Sequence, residues 1–155
     1  MEIVYAPHEV YTMRACRSAS LYLAGGITGL DWQDELAQRL KDVGDLIIFN
    51  PRRKVLIKGP REQEEQIVWD FRHIRDADLV AFWFSKGLLD PMVMFNLGMW
   101  GLSTDRMMFV GVDPDYELKS DVIYQTMIAR PDISIVMSLE DMANQVRTLL
   151  YGTEE

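Results

Sequence analysis

One cysteine, Cys16, leaves no partner for an internal disulfide, and the only two histidines, His8 and His73, stand far apart. A metal site of the usual nitrogen and sulfur ligands therefore has little to build from, and no metal or other resident cofactor is expected. Positive charge is also scarce: 16 Lys and Arg against 24 Asp and Glu give a formal net charge of −8, which repels a polyphosphate backbone. The one basic run, Pro51-Arg52-Arg53-Lys54, is short and has no interleaved aromatics, so polymeric nucleic acid is not an expected partner. No apolar run reaches membrane-spanning length and the first residues carry no signal-peptide core, so the expectation is a cytoplasmic protein with no membrane partner. The G-x-G-x-x-G pattern is missing, and the strand that would follow it ends in Asn50 instead of an acidic residue for a ribose. Both absences argue against a dinucleotide-binding oxidoreductase.

What is present reads as one ordinary globular domain over 1–155, with 48% apolar and 26% charged residues and an extended lead-in over 1–17 that carries a short edge strand around Ile3-Val4-Tyr5. Short apolar runs at 20–24, 46–49, 79–84, 107–112 and 133–136 alternate with helical spacing at 31–43, 63–75, 91–102, 121–129 and 139–150. Parallel strands need crossovers, and these helices are the crossovers. The expected architecture is therefore an α/β three-layer sandwich, flavodoxin-like or Rossmann-like, with a five-stranded parallel sheet. Residues 52–62 are expected to form a long surface loop.

The stretch 78–100 organises the chain: a buried strand, a glycine-containing loop and a helix start, which is where open α/β sheets place ligands. Asp90 and Pro91 make a natural helix start, since the Asp side chain caps free N–H groups and Pro gives up an N–H that has no partner there. Ser138 is the corresponding cap for the last helix. The loop Gly25-Gly26-Ile27-Thr28-Gly29 either lets a sugar or phosphate approach the backbone or is a tight turn that needs small residues. Judged one at a time, Asp70 reads as a solvated helix residue and Asp90 as a cap. Asp76 and Asp78 fall at a helix-to-strand turn away from the ligand end of the sheet, and Trp69, Trp83, Trp100 and His73 fit structural roles.

Taken together, the order and spacing of several pieces resemble the nucleoside 2-deoxyribosyltransferase superfamily, in its branch of small single-domain proteins. The pieces are Ser20-Leu-Tyr-Leu-Ala-Gly25, Trp32-Gln33, Phe49-Asn-Pro-Arg-Arg53, Gln66-Ile-Val-Trp-Asp70, Ala77-Asp-Leu-Val-Ala-Phe-Trp-Phe84 and Asp90-Pro-Met-Val-Met-Phe-Asn-Leu-Gly98. The resemblance implies cleavage of an N-glycosidic bond, with transfer of the sugar to another base or to water. A carboxylate nucleophile traps the oxocarbenium-like carbon as a glycosyl ester, and a second carboxylate protonates the departing base. Carried onto this chain, the second role falls to Asp70, a supporting role near the sugar 5′ end to Asp90, and an aromatic contact to Tyr22. Gly25, Gly26, Thr28, Asn50 and Gly98 complete the implied substrate-binding set.

This chain departs from the pattern at the nucleophile, where the family carries Glu and this sequence has Asn96. A neutral amide is a poor nucleophile and cannot stabilise developing positive charge as a carboxylate does. The expected activity is base release or exchange on a nucleoside or deoxynucleoside. The alternative is a catalytically impaired nucleoside-binding or nucleotide-binding module. A carboxylate at Asp90 would repel a phosphate, and Thr28 stands where phosphate-cleaving relatives have Arg, so a free nucleoside is favoured. The resemblance also implies a homo-oligomer, with a dimer as the simplest case. The stretch 91–100, with Met92, Met94, Phe95, Met99 and Trp100, lacks a polar face, which is compatible with a helix covered on more than one side.

Overall fold

Six consecutive apolar residues, Leu79–Phe84, are buried on both faces, as expected of a central parallel strand covered by helices above and below. The computed structural model describes residues 1–8, 19–55 and 57–152; Cys16 and the part of the expected lead-in beyond His8 lie outside them. In chain order the elements are β1 (Glu2–Tyr5), β2 (Ala19–Gly25), α1 (Trp32–Arg39), β3 (Leu46–Asn50), α2 (Pro60–Asp76), β4 (Leu79–Phe84), α3 (Pro91–Gly101), β5 (Met107–Val112), α4 (Lys119–Ala129) and α5 (Leu139–Tyr151). The strands form one 5-stranded sheet in the order β1-β3-β2-β4-β5, and every pairing is parallel.

Side-chain alternation along the strands separates two cores. Tyr22, Phe49, Val80 and Phe82 pack with Trp69 and Ile74 of α2, Val93 of α3 and Val122 of α4. Leu21, Leu23, Ile48 and Trp83 pack with Trp32 and Leu36 of α1 and Met142 and Val146 of α5. The result is a three-layer α/β sandwich. From β2 the chain crosses to β3 through α1 on one face, then passes back over β2 to β4 through α2 on the other. The loops after β2 and β4 consequently leave the sheet toward opposite faces, and this divergence opens a crevice at the C-terminal ends of those strands.

Two expectations are corrected. Residues 133–136 do not form a strand; Val136 makes one bridge to Gly111, with Val112 N–H donating to Val136 O at 2.9 Å and Val136 N–H to Val110 O at 3.1 Å. Upstream, Ile133 N–H is committed to a turn with Arg130 O at 3.0 Å, and downstream Ser138 already caps α5, so little extended chain remains for pairing. The fifth strand is β1 at the opposite edge, in register with β3 from Glu2↔Ile47 to Tyr5↔Asn50. Second, α2 starts at Pro60, inside the expected loop, because Pro in the first turn is pre-set for helix and loses no hydrogen bond there.

At the N-terminal ends of the strands, Asp78 Oδ2 accepts from Ser20 N–H at 2.8 Å and Ser20 Oγ at 2.7 Å, stapling β4 to β2 away from the crevice. His73 is buried, stacked on Trp69 with centroids 3.9 Å apart, and its Nδ1 lies 2.7 Å from Trp69 O. Asp78 and His73 thus have structural partners, as their sequence positions suggest. Among the described residues no helix is long and apolar enough to cross a membrane, and no group of His, Cys, Asp or Glu is arranged to hold a metal ion.

Candidate functional site

The crevice is built from the two strand ends and the helices that follow. Asp90 caps α3, accepting from Met92 N–H at 2.9 Å through Oδ1, with Pro91 in the first turn. Its second oxygen is turned toward the glycine loop: a Cβ built on Gly26 would lie 3.6 Å from Asp90 Oδ2 and would run into Leu88. With glycine at 26, the Leu88 side chain lies directly against the backbone of the loop. A Cβ on Gly25 would likewise strike the Trp32 ring, which covers that residue. The loop is held from beneath, since Gly26 O accepts from Gln33 Nε2 at 3.0 Å and from Trp32 Nε1 at 3.3 Å.

On the α2 side, Asp70 is half-buried and faces the Tyr22 hydroxyl. Gln66, one turn earlier on α2, donates through Nε2 to Asp70 Oδ1 at 2.9 Å and to Pro51 O at 2.9 Å. Its Oε1 accepts from Arg53 Nε at 2.7 Å. Burial pushes the Asp70 carboxyl up to about 7; the hydrogen bonds from Tyr22 and Gln66 and the Arg53 charge oppose the rise, and the Asp90 charge adds to it. Asp70 thus lies within the field of Asp90. Burial, with the Asp70 charge and hydrogen bond, holds the Tyr22 hydroxyl well above its ordinary range, so it remains a donor at any working pH.

Asn96 is half-buried on α3. Trp100, one turn later on the same flank of the helix, meets Phe71 of α2 with ring centroids 5.6 Å apart. Asn96 therefore lies on the α2-facing flank, the side from which Asp70 comes. Tyr22, Asp70, Asp90 and the glycine loop share the crevice. Thr28 is exposed on the loop.

Two other residues of the implied set stand elsewhere. Asn50 is fully buried and alternation sends it to the α1 face; its Oδ1 accepts Arg52 N–H at 3.0 Å, and its Nδ2 has no hydrogen-bond partner among the described residues. Gly98 is on the α4-facing flank of α3, where with Met94, Leu97, Val122, Thr126 and Arg130 it lines a cavity of about 250 Å³.

Sequence reasoning missed the residues that hold the site. Arg52 and Arg53, consecutive after β3, diverge to opposite faces of the sheet. Arg52 Nε donates to Gln33 Oε1 at 2.7 Å, and Gln33 supports Gly26; Arg53 does the same for Gln66, which supports Asp70. Both glutamines are buried. The signal available was two buried-pattern glutamines and two adjacent arginines within the quoted motifs, since a buried amide must have partners.

The crystal structure of a conserved protein from Enterococcus faecalis V583 has the same fold, with a TM-score of 0.64, 13% identity, and coverage of 86% of this chain and 99% of that one. No curated protein has a matching sequence. Residues 18–116, which run from the start of β2 past β5 and include every crevice residue above, match the family described as nucleoside 2-deoxyribosyltransferase like. By that match the chain belongs to the nucleoside 2-deoxyribosyltransferase-like family.

Proposed function

We propose that this chain, a single domain over 1–155, cleaves the N-glycosidic bond of a nucleoside or deoxynucleoside, releasing the base or exchanging it. The observation that carries the reading is Asp70: a carboxyl raised to about 7, hydrogen-bonded to Gln66, facing the Tyr22 hydroxyl and within the field of Asp90. Such a group is an acid near neutral pH, which is what a departing base requires. Asp70 gives its proton to a base nitrogen as the C1–N bond breaks and the electron pair leaves with the base. The sugar carbon becomes oxocarbenium-like. Water or an acceptor base then attacks that carbon, and the proton it loses restores Asp70. The Asp90 carboxylate lies near the cationic sugar and disfavours a 5′-phosphate, so free nucleosides are the preferred substrates.

Asn96 in the nucleophile position favours a second reading, a nucleoside-binding module in which the amide hydrogen-bonds the sugar. Incubation with deoxynucleosides, ribonucleosides and their monophosphates, followed by chromatography of free base, separates the two. Base release from nucleosides supports the first. Binding without release removes it in favour of the second.

The protein is further proposed to be a cytoplasmic homo-oligomer. The outer side of α3 exposes Met92, Phe95 and Met99, and 91–104 contains no charged residue, so this face can approach another copy without the repulsion that a net charge of −8 imposes elsewhere.

A further inference from the structure

Gln66 is held between groups that can act in only one sense. Arg53 has donors alone, so the atom 2.7 Å from its Nε must be the amide oxygen; Pro51 O only accepts, so the atom 2.9 Å from it must be the amide nitrogen. The assignment of oxygen and nitrogen in this amide follows from chemistry. Its consequence falls on Asp70, because the same Nε2 donates to Oδ1 at 2.9 Å. An oxygen that receives a donor in that direction is kept as an acceptor. The Tyr22 hydroxyl can donate to the charged form or accept from the neutral one, so it follows the proton and does not fix it.

We propose that Arg53, acting through Gln66, is a positioning residue that reserves Oδ1 of Asp70 as an acceptor and confines the proton that Asp70 delivers to Oδ2. This rests on the reading of Asp70 as the acid toward the departing base. The titratable and charged groups facing Asp70 are Tyr22 from β2, Arg53 from the segment after β3 and Asp90 from the start of α3. Arg53 is itself held by Glu65, with Nη2 to Oε2 at 2.7 Å, and its side chain is nine per cent exposed, so it is anchored at both ends of its guanidinium. The lock also sets when the proton leaves. Turning a donor away from Oδ1 weakens the carboxylate relative to the neutral acid and raises the pH at which Asp70 ionises.

The test is a carbon-13 carboxyl titration of Asp70 in the full chain, with the resonance assigned by its absence in Asp70→Asn. Gln66→Met removes the donor and is expected to raise the Asp70 midpoint by about one pH unit; Gln66→Glu sets a second acceptor against Oδ1 and raises it further. Arg53→Met releases the amide and raises the midpoint, whereas Arg53→Lys keeps a donor-only partner and restores the wild-type value. The double variant Arg53→Met/Gln66→Met shifts by less than the sum of the two single variants, because part of the Arg53 effect passes through Gln66 and only the remainder is its direct charge. Additive shifts would mean that Arg53 acts by its charge alone and would overturn the relay, as would an unmoved midpoint in Gln66→Met. If the Gln66 variants do not fold, Arg53→Met against Arg53→Gln decides: a neutral amide donor brings the midpoint back toward the wild-type value if the relay acts, and equal midpoints, the result of charge alone, overturn the proposal. The expected shifts combined with no base release from any nucleoside would leave the lock standing and overturn the glycosidic reading beneath it.

Discussion

The Tyr22 hydroxyl on β2 faces the Asp70 carboxyl on α2, across the join between the central strand of the sheet and the helix that covers it. The hydroxyl favours ionisation of Asp70, yet burial outweighs it and the carboxyl stays at about 7.

Stability should therefore depend on pH through Asp70. Its pKa is raised from 3.8 in the unfolded chain to about 7 in the folded one, so between those values the folded state holds the extra proton and stability falls as pH rises. Asp70→Asn removes the penalty. Denaturant unfolding at pH 8 should find Asp70→Asn more stable by on the order of 2 kcal/mol, roughly half of what the full shift corresponds to because Asp70 is partly exposed. Near pH 4 the two proteins should unfold alike. The same substitution should abolish base release, so stability and activity move in opposite directions.

Gly26→Ala tests the approach of the two loops. The added Cβ runs into Leu88 beside Asp90. Leu88 must swing aside, so Gly26→Ala should cost the fold under about 1 kcal/mol and show mainly as weaker nucleoside binding by calorimetry, whereas Gly29→Ala, at a φ of 75°, should cost stability.

Arg130 governs the end of α3. Its buried guanidinium donates to Gly101 O at 3.3 Å, Ser103 O at 2.9 Å and Arg106 O at 3.2 Å and pairs with Asp132 at 2.7 Å. Those carbonyls lie at and beyond the helix terminus and lose their donor in Arg130→Met. The expected loss is about 3 kcal/mol in urea unfolding. Asp132→Asn, whose side chain is exposed, should change stability by well under 1 kcal/mol.

The outer side of α3 carries the oligomer proposal. Phe95→Lys and Met99→Glu place charge on that side without touching the core, because both side chains are exposed in the single chain. Light scattering should report a multiple of the 17.9 kDa mass for the wild type and the single-chain mass for the double variant.

Much of this was legible because its chemistry is local. Asp90-Pro91 and Ser138 cap helices through atoms within three residues, and six buried apolar residues mark β4 in any context. The identity of the fifth strand was not, since Ile3-Val4-Tyr5 and residues 133–136 are alike in length and composition. Pairing with β3, 45 residues along the chain, decided between them. Asn50 follows from alternation: Phe49 shares a core with Tyr22, so its neighbour must face α1. The Arg53–Gln66–Asp70 relay was hidden because its hydrogen bonds depend on how the segment after β3 folds against α2. The match over 18–116 establishes the family, while the assignment of Asn96 to the nucleophile position is a proposal that rests on the motif resemblance.

The central claim is that the crevice is an N-glycosidic site whose covalent route is missing one carboxylate. Asn96→Glu supplies it. Intact-protein mass spectrometry during incubation with a deoxynucleoside should show the variant gaining the mass of a deoxyribosyl group, with base release faster than wild type by at least about tenfold. Adding Asp70→Asn should suppress both signals. An Asn96→Glu protein that folds and binds the nucleoside, yet forms no adduct and releases no base, would contradict the account.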